Sequence, residues 1–193
     1  IQLGEWILEQ ACLEAVRWRA GSTVAVNISP VQFKLPNLHE VVVRVLARTG
    51  LPAHRLELEI TEKALAADSI GVVATLMRLK ALGIRIVMDD FGTGYSSLSS
   101  LRSFPFDKLK IDRSFILSLE HDVAAQSIVR AIIGLGNSLG IPVVAEGVET
   151  DMQRRIVLNE GCTLVQGMFF GKPGIEPSAK PASVAPRLKG APL

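Results

Sequence analysis

The pair Asp89-Asp90 closes the apolar run 84–88 and is followed by Gly92-Thr93-Gly94. Adjacent carboxylates at one strand end repel each other unless a cation sits between them. Oxygen-only ligands suit hard ions such as Mg²⁺ or Mn²⁺. One Asp here would read as a helix cap; two, with the glycines, read as a metal-bridging corner beside a lid. Polar residues also close the other apolar runs. Asn27, in Val-Asn-Ile-Ser-Pro, could ligate a metal through its amide oxygen or simply begin a turn before Ser29-Pro30. In Leu-Glu-Leu-Glu-Ile-Thr-Glu, alternation sets Glu57, Glu59 and Thr61 on one face. Glu59 is then the ligand candidate nearest the strand's end, and Glu62 a loop-anchoring group.

Lys110 lies between Leu109 and Ile111, which point the other way. Directed inward, its ammonium needs carboxylates or a phosphate nearby. Lys108 fits a snorkelling surface lysine better. Asp112 and Arg113 suit a local cap or salt bridge, and Asp112 is also a ligand-binding candidate. Glu146 follows Val143-Val144 and precedes Gly147, so it stands at a strand mouth. Glu149 could be an acid at the next helix start, and Gln166 precedes Gly167.

His39, His54 and His121 share no spacing, so neither a His base nor a Ser-His-Asp triad is supported. A carboxylate pair could serve glycoside hydrolysis. A lysine with up to four carboxylates better suits two-metal phosphoester hydrolysis, with metals about 3.5–4 Å apart. Cys12 and Cys162 lie far apart and read as buried free thiols in a reducing compartment. No apolar run approaches the ~20 residues of a membrane span. The expectation is a cytoplasmic domain. The tail from Lys172 carries four cations against Glu176, +3 of the chain's net +2, leaving the body at −1. That is no duplex nucleic-acid face.

These groups need a scaffold, and the periodicity supplies one. Strands are predicted over Thr23–Ile28, Leu56–Ile60, Ile84–Met88, Lys108–Ile111, Pro142–Ala145 and Thr163–Gln166. Helical spacing covers residues 1–20, Leu38–Thr49, Ser69–Leu82, Ala124–Leu139 and Asp151–Asn159. Gly50, Gly83, Gly140 and Gly161 each follow a helix, where a left-handed cap favours glycine. Repeated helix–Gly–strand units imply parallel strands joined by crossovers. No complete phosphate-binding glycine loop follows the first strand, as a doubly wound sheet would offer. Polar ends on all six strands converge only in a ring, so an α/β class (β/α) barrel is expected, two strands short of eight.

Read in order, Val-Asn-Ile-Ser, Leu-Glu-Ile-Thr-Glu, Asp-Asp-Phe-Gly-Thr-Gly-Tyr-Ser-Ser-Leu, Lys-Ile-Asp-Arg-Ser-Phe, Ala-Glu-Gly-Val-Glu-Thr and Gln-Gly-Met-Phe-Phe resemble the EAL-domain family. Those proteins are bacterial cyclic-di-GMP phosphodiesterases. The resemblance implies a TIM-like barrel over residues 1–173, with 174–193 as a Pro-rich, basic, disordered tail. It implies a two-metal site for Mg²⁺ or Mn²⁺. Asn27, Glu59 and Asp89 would bind the first metal, and Asp89 would bridge to a second held with Asp90 and Glu146. Lys110 would position the catalytic water and steady charge at the phosphate, with Glu149 and Gln166 at further active-site positions. Glu62 matches the glutamate that anchors the glycine lid, 91–98, which includes Gly92, Thr93 and Gly94. The reaction would open cyclic-di-GMP to linear pGpG.

The resemblance also implies a homodimer through the lid and the helix after it, and upstream sensory or GGDEF domains. The Glu-Ala-Leu segment that names the family, with its nearby arginine, belongs before the first matched helix. Its absence here leads to the expectation of an open barrel, a missing metal ligand and a poorly active chain. The alternative is a catalytically silent module that senses cyclic-di-GMP or a partner protein. Such relatives usually lose metal ligands, and every ligand position visible here is kept. An enolase-type Mg²⁺ barrel would also set a lysine beside carboxylates, but six motifs in this order argue against it.

Overall fold

The computed structural model describes residues 2–33, 37–66, 69–94, 101 and 104–174, the side chains of 65, 66, 69 and 70 aside. Six parallel strands form one sheet in sequence order. They are β1 (Val24–Asn27), β2 (Leu56–Thr61), β3 (Arg85–Phe91), β4 (Lys108–Ile111), β5 (Val143–Glu146) and β6 (Leu164–Gln166). The helices are α1 (Gln2–Val16), α2 (Pro30–Phe33), α3 (Leu38–Thr49), α4 (Glu62–Ala66), α5 (Ser69–Ala81), α6 (Arg113–Leu117), α7 (Val123–Leu139) and α8 (Asp151–Asn159). The short α2, α4 and α6 carry too few residues for a periodic signal, and only the longer helices were predicted.

The strands' alternation decides what the sheet buries. Leu56, Leu58 and Ile60 of β2 join Ile86 and Met88 of β3 and Leu109 and Ile111 of β4 in the core between sheet and helices. The opposite faces of β2 and β4 carry Glu57, Glu59, Lys108 and Lys110, which line one concave cavity. Lys110 on β4 touches Glu59 on β2 and Glu146 on β5 together. Flat sheets space neighbouring strands about 4.8 Å apart, so this reach requires the sheet to curl. The result is a (β/α) half-barrel, open between β1 and β6 among the described residues.

Each crossover helix turns back through a glycine cap, as the spacing predicts: φ is 74° at Gly50, 90° at Gly83, 68° at Gly140 and 91° at Gly161. Thr150 and Gln153 close a capping box at the start of α8. Both cysteines are free and buried. Burial, then the charge of Glu9, pushes the Cys12 thiol up to about 11. No helix among the described residues is long and apolar enough to cross a membrane.

Two expectations need correction. The third strand does not stop at Met88: β3 runs through Asp89 and Asp90 to Phe91. The register with β4 shifts between Met88 and Phe91, and Asp90 adopts a left-handed φ of 54°. This bulge lets Phe91 return to pair with Ile111 and bury its ring. Lys108 is not a surface lysine either. It shares the parity of Lys110, and its ammonium lies 2.8 and 2.7 Å from the two carboxylate oxygens of the buried Glu57.

Candidate active site

Lys110 is the centre of the site. It is 5% exposed, and its Nζ lies 2.7 Å from Glu59, 3.2 Å from Asp89 Oδ1 and 2.6 Å from Glu146. Burial alone would pull this ammonium down, but Glu146 and Glu59 outweigh it and hold the group well above the ordinary lysine range. Asn27 ends β1 in register with Glu59. Thr61 is in register with Asp89. Asn27, Glu59 and Asp89 thus lie along three adjacent strands at one end of the sheet.

The bulge separates the two aspartates. Asp89 is buried within reach of Lys110, whereas Asp90 lies close enough to Asp112 for the two carboxyls to interact. Burial, then the charges of Asp89 and Asp112, holds the Asp90 carboxyl above its usual range. Asp112 caps α6 as the sequence suggests, accepting from Ser114 N at 2.9 Å and from the Ser114 hydroxyl. Burial also keeps the Glu146 carboxyl high, Lys110 opposing and the charges of Asp89 and Glu59 adding to it.

Glu62 opens α4 and is buried, with Oε2 lacking a hydrogen-bond partner. A β-carbon at Gly94 would lie 3.0 Å from the Glu62 carboxylate, so the glycine lets the lid base approach it. Thr93 Oγ1 donates to the Asp90 carbonyl at 2.9 Å. Lid residues 95–98 lie outside the described residues, as do most of the following helix expected at the dimer contact and residues 175–193 of the tail.

Glu149 and Gln166 border a second cavity of about 500 Å³ with Glu146, Arg113, Met168 and Lys172. Glu149 is exposed and sits just before the Thr150 cap, not inside the helix. The Val148 main chain joins the cavity's two walls. Val148 N–H donates to the Gln166 carbonyl and Phe169 N–H to the Val148 carbonyl, each at 3.0 Å. A β-carbon at Gly167 would fall 2.1 Å from that Val148 oxygen, so only glycine permits the clip. Sequence reasoning passed over Val148, because main-chain bonds leave no mark on side-chain identity.

A divalent cation fits this donor set. Glu59, Asp89, Asp90, Asp112 and Glu146 offer oxygen alone, and Lys110 is the cation that touches three of them. Asp89 Oδ1 is buried yet makes no hydrogen bond, despite standing near Lys110. Such an atom is costly unless a further positive group reaches it. Among the described residues, no three His, Cys, Asp or Glu side chains are arranged to hold a metal ion as they stand, and the Lys110 ammonium lies among the carboxylates.

The chain has counterparts among known proteins. The chain belongs to the EAL domain family, whose description matches residues 1–173. It is 50% identical over 194 residues to an uncharacterized signaling protein of Caulobacter vibrioides, covering 97% of this chain and 24% of that one. It is 42% identical to the bifunctional diguanylate cyclase/cyclic di-GMP phosphodiesterase MucR of Pseudomonas aeruginosa, covering 90% of this chain and 26% of MucR. The MucR phosphodiesterase structure in complex with c-di-GMP superposes with a TM-score of 0.86, covering 89% of this chain and 71% of that one. A manganese/cyclic-di-GMP complex of Klebsiella pneumoniae BlrP1 is 29% identical with a TM-score of 0.82, covering 89% of this chain and 44% of BlrP1. The chain spans about a quarter of the length of the curated relatives it matches.

Proposed function

We propose that this chain carries the catalytic site of a metal-dependent phosphodiesterase that opens cyclic-di-GMP to linear pGpG. The observation that carries the reading is the buried oxygen cluster of Glu59, Asp89 and Glu146 about Lys110, in which Asp89 Oδ1 stands 3.2 Å from the ammonium yet makes no hydrogen bond among the described residues. Complexes of MucR and BlrP1 with the same dinucleotide, one of them with manganese, support the substrate and the cation class.

In this reading Asn27, Glu59 and Asp89 would hold one Mg²⁺ or Mn²⁺, and Asp89, Asp90 and Glu146 would hold a second. When bound, the metals would supply Lewis-acid chemistry, lowering the pKa of a water and offsetting charge on the leaving oxygen. Lys110, kept protonated by its carboxylates, positions that water and meets charge building on the phosphate. Glu149, Gln166 and Asp112 face the dinucleotide, and Glu62 anchors the lid over it. Residues 1–173 form the domain, and 174–193 are a tail outside the chemistry. The domain acts in the cytoplasm as a homodimer through the lid region, fused to sensory or cyclase domains. The 193-residue chain alone turns over slowly, because its sheet is open between β1 and β6 and Asn27 is exposed there.

The test is release of pGpG from cyclic-di-GMP by the whole protein with Mg²⁺ or Mn²⁺, followed by chromatography. Asp89→Asn should lower kcat by about a hundredfold or more. Unchanged turnover would sink the two-metal assignment. Family-level rates from the 193-residue chain would instead overturn only the claim that it is slow.

A further inference from the structure

Beneath the Lys110 cluster lies a second ionic rung that the proposed reaction does not use. Glu57 is 4% exposed and binds Lys108 at 2.7 Å and Arg85 at 3.2 Å. The same cavity, of about 230 Å³, is lined by Glu57, Glu59, Lys108 and Lys110. Two glutamates two residues apart on β2 thus face two lysines two residues apart on β4.

The register makes this pairing a choice. Lys108 is in register with Val87, and Val87 with Glu59. By strand level alone, Lys108 stands opposite Glu59. Its ammonium nevertheless reaches back to Glu57, and Lys110 takes Glu59. Lys110 makes the same step back, from the level of Thr61 and Asp89 to Glu59. Both rungs thus share one stagger, and Glu57 is the carboxylate on β2 that holds Lys108 in it. Without that charge, the half-buried Lys108 and the buried Lys110 would compete for Glu59, and a lysine left unpaired in this cavity is costly. Lys108 on Glu59 would displace Lys110 and fill a place a divalent cation needs.

We propose that Glu57 is a positioning residue: by holding Lys108 on the lower rung, it keeps Glu59 available to Lys110 and to a metal. This inference rests on the phosphodiesterase reading for its consequence, but its geometry can be tested without turnover. The decisive comparison is a crystal structure of Glu57→Gln beside the parent protein. Lys108 Nζ is expected to move to within about 4 Å of a Glu59 oxygen. A Lys108 that stays beside residue 57, or turns to solvent, overturns the proposal.

Mn²⁺ titration by calorimetry gives the second reading. Glu57→Gln should bind Mn²⁺ about tenfold more weakly, and Glu57→Gln/Lys108→Met should return to within about twofold of the parent. Glu57→Asp, which keeps the charge, should also bind normally. A double variant as weak as Glu57→Gln, or a Glu57→Asp as weak, would mark a merely structural residue and overturn the idea. If Glu57→Gln does not fold, Glu57→Gln/Arg85→Met removes one stranded cation while leaving Lys108 to be located. A parent protein that fails to open cyclic-di-GMP would defeat the functional reading alone, and the position of Lys108 would still decide this one.

Discussion

At the scale of single residues, the barrel interior is an exercise in placing charge where water is scarce. Glu57 shows how the balance falls. Burial alone would raise its carboxyl, but hydrogen bonds and charge from Lys108, helped by Thr23 and Arg85, hold it below the ordinary range. A carboxyl lowered in the fold binds protons less tightly there than in the unfolded chain. Its stabilisation is therefore complete above the ordinary value of 4.5 and is lost as pH falls through the lower, folded value. The stability gap between the parent and Glu57→Gln should be widest near neutrality and close on acidification, read from urea midpoints across an acid series. A gap that widened in acid would contradict the ion-pair account. Much of the site was legible at this scale. Lys110 between Leu109 and Ile111 demanded carboxylate partners, and Glu59, Asp89 and Glu146 are those partners. Lys108 departs from the sequence expectation, although its parity with Lys110 sets both on one face. A lone lysine on a strand can snorkel to solvent, but two at this spacing share the concave face with Glu57 and Glu59.

At the scale of elements, glycine punctuation and apolar alternation made the strands and long helices readable. The bulge in β3 was not readable, because an aspartate in a left-handed conformation carries no compositional mark. Its effect is large: it aims Asp89 at Lys110 and sends Asp90 toward Asp112. The seating of α7 depends on a similarly small feature. Gly136 is buried on that helix, and a β-carbon there would lie 2.2 Å from Val143 Cγ2 and 2.8 Å from the Ile141 carbonyl. Val143 begins the strand that ends in Glu146, so pushing α7 outward disturbs the strand bearing a site carboxylate. Gly136→Ala should destabilise the domain by about 1–3 kcal/mol through overpacking. Chemical denaturation checks this, and an unchanged midpoint would show that the helix can yield without cost.

At the scale of the whole molecule, the chain builds a polar concave face by turning its apolar face outward against the helices. That inversion is why the hydrophobic pattern predicts the architecture so directly. The open side of the half-barrel followed from the strand count, whereas the union of its two outer loops did not. The main-chain clip at Val148 ties the turns after β5 and β6 together through two hydrogen bonds. A guest molecule gripping one turn therefore helps order the other, so recognition along this wall should be cooperative rather than a sum of contacts. Glu149→Ala and Gln166→Ala should together cost cyclic-di-GMP affinity by an amount that departs from their summed losses by about 0.5–3 kcal/mol. Calorimetric binding to the four members of that cycle measures the departure, and strict additivity would mean that the two turns answer the ligand independently.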